Sequence, residues 1–143
     1  MKIETKFGFS RDGYRNQRAL LIGINYKGSK SPLYGCQNDV LNMKKYIMDV
    51  HGFPEHNIDL LMDDGIHVNP TKSNIIDAFK KLVELSEPGD VVYVHFAGKA
   101  NNTFKIFLRA FLLLVYTLKM NDILFCFMLS PSLLTKVTEL MSV

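Results

Sequence analysis

The chain has 143 residues, 48% of them hydrophobic and 22% charged; this is the composition of a globular chain, not a disordered one, at a length that suits one domain or a large part of one. The formal net charge of +3 is too small to imply a nucleic-acid partner, and it is unevenly spread: residues 1–98 hold 12 basic and 12 acidic side chains, residues 99–143 hold 5 and 2. Two cysteines, Cys36 and Cys126, with no CxxC and no Cys/His ladder, exclude a zinc site or disulfide framework and point to a reducing compartment, the cytoplasm.

Residues 1–17 are polar and lack the apolar core of a secretory signal, so they are expected to form a flexible lead-in. RALLIGIN at 18–25 is a short apolar run ending in turn chemistry. Such a run, apolar on both faces, predicts a central strand of a parallel sheet. Residues 26–37 hold two glycines and a proline and read as a loop. Asn38 or Asp39 then caps a helix to about His51, with Val40, Met43, Ile47 and Val50 on its apolar face. Gly52 closes it and Pro54 prevents its resumption.

IDLLM at 58–62 predicts a second strand, ending at Asp63, Asp64 and Gly65. Thr71 caps a second helix to about Ser86, whose apolar face is Ile75, Phe79, Leu82 and Val83. VVYVHFA at 91–97 predicts a third strand. Alternating strands and helices imply parallel crossovers with helices on both sheet faces.

After Gly98 the character changes. Residues 104–118 and 123–129 are almost wholly apolar. Neither reaches the 18 or so uninterrupted apolar residues of a spanning helix, and Lys105, Arg109 and Lys119 interrupt the first. Two arrangements are open: a helix at 104–118 packed on the sheet with an added strand at 123–129, or a helix at 103–120 crossing a membrane.

In open parallel sheets, ligands gather at the carboxyl ends of the strands. Cys36 lies at a loop-to-helix junction, where a thiol can become nucleophilic, though a small buried cysteine beside a capping Asp39 is the plainer reading. Asp63 and Asp64 read as a turn pair before they read as a cation site. His95 falls inside a strand and reads as a hydrogen-bonded core histidine, and Lys99, just past the strand end, as a solvated lysine. The glycines of GINYKG do not open a helix and are not a dinucleotide fingerprint. Basic residues do not cluster with aromatics as a nucleic-acid surface requires.

In order and spacing, RALLIGINY, YGCQNDV, LLMDD, NPTKSNI and PGDVVYVHFAG resemble the metacaspases, a family of caspase-like cysteine peptidases, over residues 18–98. The resemblance implies a caspase-like α/β three-layer sandwich with a mainly parallel sheet. Here it would be incomplete: a half-domain at 18–98 followed by a divergent apolar tail at 99–143. It also implies a Cys–His dyad that cuts peptides after Arg or Lys, usually with calcium.

The family's histidine lies in a motif of the form HYSGHG. In the matching HFAGKA, His95 keeps the first histidine and Lys99 occupies the catalytic one. The cysteine motif DSCHSG does not occur, and Cys126 sits in an apolar run without its companions. Cys36 and Asp39 match the pair that holds the substrate's basic side chain in the family, so they are the expected remnant of that pocket. No calcium site is identifiable. The expected product is an inactive, truncated or spliced member. The alternatives are a partner of intact metacaspases, or of itself, through an exposed sheet edge, and a membrane-associated fragment.

Overall fold

The computed structural model describes residues 16–87 and 89–99, Asn102, Lys105, Arg109, and the backbone of residues 124–129. Four parallel strands, β1 (Gln17–Gly23), β2 (Ile58–Met62), β3 (Val91–Ala97) and β4 (Leu124–Leu129), form one sheet in the order β2-β1-β3-β4. Helix α1 (Cys36–His51) connects β1 to β2, and α2 (Lys72–Leu85) connects β2 to β3.

The two-residue alternation of strand side chains divides the core into two layers. Leu20, Ile22, Leu61, Val92, Val94 and Phe96 meet Ile75, Phe79 and Leu82 of α2 on one face. On the other face Ala19, Leu21, Met62, Tyr93 and Ala97 meet Val40 and Ile47 of α1. All seven residues of β3 are buried, as expected of a central strand covered on both sides. The α/β three-layer arrangement expected from the sequence is therefore present.

Several boundaries differ from the sequence reading, each for a local reason. The first strand begins at Gln17, where the polar lead-in was expected still to run; the rest of that lead-in, residues 1–15, lies outside the described residues. Asn16 and Arg18 are tied to the buried carboxylate of Asp90, at 3.1 Å each, which locks the start of β1 to the turn before β3. The strand stops at Gly23, although the Ile24 amide still donates to the Ala97 carbonyl at 2.9 Å.

Helix α1 opens at Cys36, two residues before the expected cap. Its first amides find their acceptor at a distance: Asn25 Oδ1 accepts from Cys36 N at 3.0 Å and from Gln37 N at 3.3 Å. Asn38 and Asp39 consequently lie inside the first turn. The buried stripe of α1 is Val40, Ile47 and His51; Val50, expected on it, is at the surface. Gly52 ends the helix in the left-handed region (φ 73°) that glycine adopts freely. Thr71 caps α2 as expected, accepting from Asn74 N at 3.2 Å.

Of the apolar tail, residues 124–129 form the added strand, pairing with β3 from Val91↔Leu124 to Phe96↔Leu129. The outer strands of the sheet are thus β2 and β4, and β3 is not a bare edge. Asn102, Lys105 and Arg109 are helical and exposed, while the rest of the helix expected at 104–118 lies outside the described residues. No helix among the described residues is long and apolar enough to cross a membrane.

Gly23 sets how closely α1 approaches the sheet. A Cβ there would stand 2.7 Å from Val40 Cγ2 and 2.8 Å from the Cys36 carbonyl oxygen, separations that force backbone to move. Gly23→Ala is expected to destabilise the fold by about 1–3 kcal/mol, read as a lowered denaturation midpoint with an unchanged slope. An unshifted midpoint would contradict this close seat.

Candidate functional site

The carboxyl ends of β1, β2 and β3 converge at one edge of the sheet. Their polar groups are organised by one carboxylate. Asp63, directly after β2, accepts from Asn25 N at 2.8 Å and Gln37 Nε2 at 3.0 Å through Oδ1, and from Tyr26 N at 2.7 Å through Oδ2. Burial acts to raise its pKa, but the donors from Asn25, Gln37 and Tyr26 prevail and hold it below the usual carboxylate range. Asn25, fixed in this way, turns its own side-chain oxygen to the first two amides of α1. The loop after β1, the turn after β2 and the start of α1 therefore form one hydrogen-bonded unit.

Tyr26 is strained within this unit. Its φ is 56°, in the left-handed region that a non-glycine residue seldom adopts. The Asp63 carboxylate holds its amide, and its hydroxyl accepts from Lys99 N at 3.0 Å. The side-chain amine of Lys99 donates to the Ser31 carbonyl and lies 4.9 Å from the centroid of the Tyr26 ring. Lys99 is thus not the freely solvated lysine expected from sequence. It fastens the loop between β1 and α1 to the end of β3, and its partners are Tyr26 and Ser31, not Cys36 or Asp39.

Cys36 and Asp39 occupy the first turn of α1, Cys36 half-buried and Asp39 exposed. Burial pushes the Cys36 thiol up, and the negative charges of Asp39 and Asp63 push it further. All three act against the lowered pKa that would make a thiol at a helix start an activated nucleophile. Cys126 falls in β4.

The two aspartates after β2 separate into different tasks. Asp64 Oδ1 accepts from His67 N at 2.9 Å and Ile66 N at 3.0 Å, and its Oδ2 meets His67 Nδ1 at 2.7 Å. These contacts hold its carboxyl well below the ordinary range, the His67 amide contributing most. With the Asp63 and Asp64 oxygens so engaged, the pair does not fit a calcium ion. Among the described residues, no group of three His, Cys, Asp or Glu side chains could hold a metal.

His95 departs from the sequence reading. It is buried, as expected, but neither ring nitrogen has a hydrogen-bond partner among the described residues. Burial lowers its pKa, against a smaller raising effect of Asp39.

Sequence reasoning missed the roles of Asn25 and Gln37. Asn25 at a strand end was a legible signal, since asparagine often supplies capping oxygens. Its target eleven residues away was not.

The family profile described as metacaspase, peptidase C14 domain, matches residues 17–107. Metacaspase III c of Phaeodactylum tricornutum is 55% identical over 83 residues, which are 57% of this chain and 25% of that protein. Metacaspase-6 of Arabidopsis thaliana is 47% identical over 83 residues, 57% of this chain and 23% of the relative. Metacaspase-1 of Eremothecium gossypii is 41% identical over 91 residues, 62% of this chain and 20% of the relative. The chain thus matches a quarter or less of the length of these curated relatives.

Asp63→Asn keeps the shape of the side chain but removes the charge that receives three N–H donors. At pH 7 it is expected to cost about 1.5–3 kcal/mol, the range for hydrogen bonds to a charged group. Because the folded pKa is lowered, this contribution is present above the unfolded carboxylate value of about 4 and is lost below it. The gap between the wild type and Asp63→Asn in urea denaturation should therefore close as pH falls below about 4. A gap independent of pH would contradict the charge-based role.

Proposed function

The chain belongs to the metacaspase family, and from that premise we propose that it is a metacaspase-type domain segment without peptidase activity of its own. Lys99 carries the proposal. Catalysis by the family's dyad needs a histidine that takes a proton from the thiol and returns it to the leaving amine. At the matching position this chain has a lysine, whose ammonium group has three donors and no acceptor. Its amine is engaged by the Ser31 carbonyl and the face of Tyr26, so it is a tie between segments where the family has a proton carrier.

The thiols support the same reading. Burial and two nearby carboxylates push the Cys36 thiol up, against thiolate formation. Cys126 lacks the acidic and glycine neighbours of the family's nucleophile motif. Asp39 is exposed at the start of α1 and is the residue we assign to holding an Arg or Lys side chain, with Cys36 beside it. Binding of a basic side chain without cleavage is the most this half of the pocket offers. Calcium, which the family uses, has no role in this account. A reducing compartment such as the cytoplasm suits a sequence with two cysteines and no CxxC.

A second reading is a non-catalytic partner of intact metacaspases or of a second copy. The sheet order favours it, because β2 and β4 are outer strands, and outer strands offer unpaired backbone groups to another chain. It predicts co-purification of the chain with an intact metacaspase or with itself. A monomer at high concentration that captures neither would exclude it.

The purified chain, given fluorogenic peptides ending in Arg or Lys, is expected to release fluorophore no faster than buffer, with or without calcium. Turnover that calcium stimulates and a thiol reagent abolishes would overturn the proposal.

A further inference from the structure

His95 stands inside β3 at 6% exposure, with neither ring nitrogen partnered among the described residues. Strand alternation places it on the α1 side of the sheet, in line with Tyr93 and Ala97. Its in-register neighbours are Leu21 of β1 and Met128 of β4. It does not engage Lys99, the residue that follows it in the family motif. A buried polar group without partners costs free energy, and such an exception in a core calls for an explanation.

We propose that His95 is a proton-operated joint between α1 and the sheet: the neutral ring permits α1 to seat on β3, and the charged ring unseats it. The neutral imidazole is a compact, largely apolar filler, and it tolerates the seat. The imidazolium carries a full charge and a second donor, and the same enclosure gives it no acceptor among the described residues.

The surroundings do not rescue the charge. From α1, the titratable groups on this side are the Cys36 thiol and the Asp39 carboxylate at its start and the buried His51 at its last residue. Asp39 attracts the charged ring, but burial outweighs it. From β1 the facing residues are Ala19, Leu21 and Gly23, all uncharged. The sequence of β4, LFCFML, holds no charged residue and one titratable one, Cys126.

The sign follows from linkage. The folded pKa lies below the unfolded value of about 6.5, so the unfolded chain takes up the proton first. The stability that depends on neutral His95 is complete above pH 6.5 and is lost as pH falls from there towards the folded value. A single proton bound only by the open form changes the equilibrium up to about tenfold per pH unit. The carboxylates of Asp63 and Asp64 titrate at lower pH, so the window between pH 6.5 and 5 separates His95 from them.

The test is urea unfolding of the full chain between pH 7.5 and 5, for the wild type, His95→Phe and His95→Gln. His51, His56 and His67 remain in every variant, and their effects cancel in the comparison. Below pH 6.5 the folding constant of the wild type should fall faster than that of either variant, by up to about tenfold per unit. Amide protection, corrected for intrinsic exchange, should fail first at residues 36–48 of α1, before α2. Parallel pH slopes in wild type and variants would overturn the proposal, as would simultaneous loss of protection in α1 and α2. If neither variant folds, the His95 ring resonance of the wild type decides. It should stay at its neutral position until α1 loses protection; titration near 6.5 with α1 intact would sink the idea.

Discussion

The carboxylate of Asp63 is the constraint on which the carboxyl edge of the sheet depends. Three donors, from Asn25, Tyr26 and Gln37, converge on its two oxygens. They join the exit of β1, the strained loop residue and the first turn of α1 to the end of β2. Asn25, held in this way, caps α1 with its own side chain. Gly23 completes the arrangement by leaving room for the Cys36 carbonyl and the Val40 side chain. Charge-assisted hydrogen bonds are among the stronger polar contacts in a protein, and here they fix where every candidate site residue on α1 must stand.

This edge is also where parallel α/β sheets place their chemistry. A partial caspase-like α/β frame is built here, with its strands in parallel and a helix on each face, and in the function proposed above the groups on it make no catalytic pair. Burial, and after it the charges of Asp39 and Asp63, push the Cys36 thiol up. Lys99 closes a loop onto β3 and engages Tyr26, whose left-handed backbone needs such support. The same feature that makes the edge rigid, a carboxylate-centred network, works against a thiolate.

Much of this was legible in the sequence. The strands over 58–62 and 91–97, the Thr71 cap and the face of α2 follow from periodicity and capping chemistry alone. What the sequence did not disclose depends on contacts between distant residues. Asn25 caps a helix eleven positions later, so α1 begins before its apparent cap. Val50 carries an apolar side chain at the surface because the buried stripe of α1 runs through His51 instead. The strand at 124–129 was expected in only one of two arrangements of the tail because an apolar run has no period that separates a buried strand from a buried helix. The unpartnered state of His95 depends on everything packed around it and had no local signal.

The central proposal is that neither thiol of this metacaspase-type segment attacks a peptide carbonyl. The most direct measurement is intact-mass analysis of the purified chain after incubation with a peptide bearing Arg and a thiol-trapping electrophile at the scissile position, with calcium present. The account predicts an unmodified mass, with both cysteines still reactive to a small alkylating reagent after denaturation. Stoichiometric adduct on Cys36 or Cys126 in the native protein, lost when excess arginyl peptide competes, would contradict it.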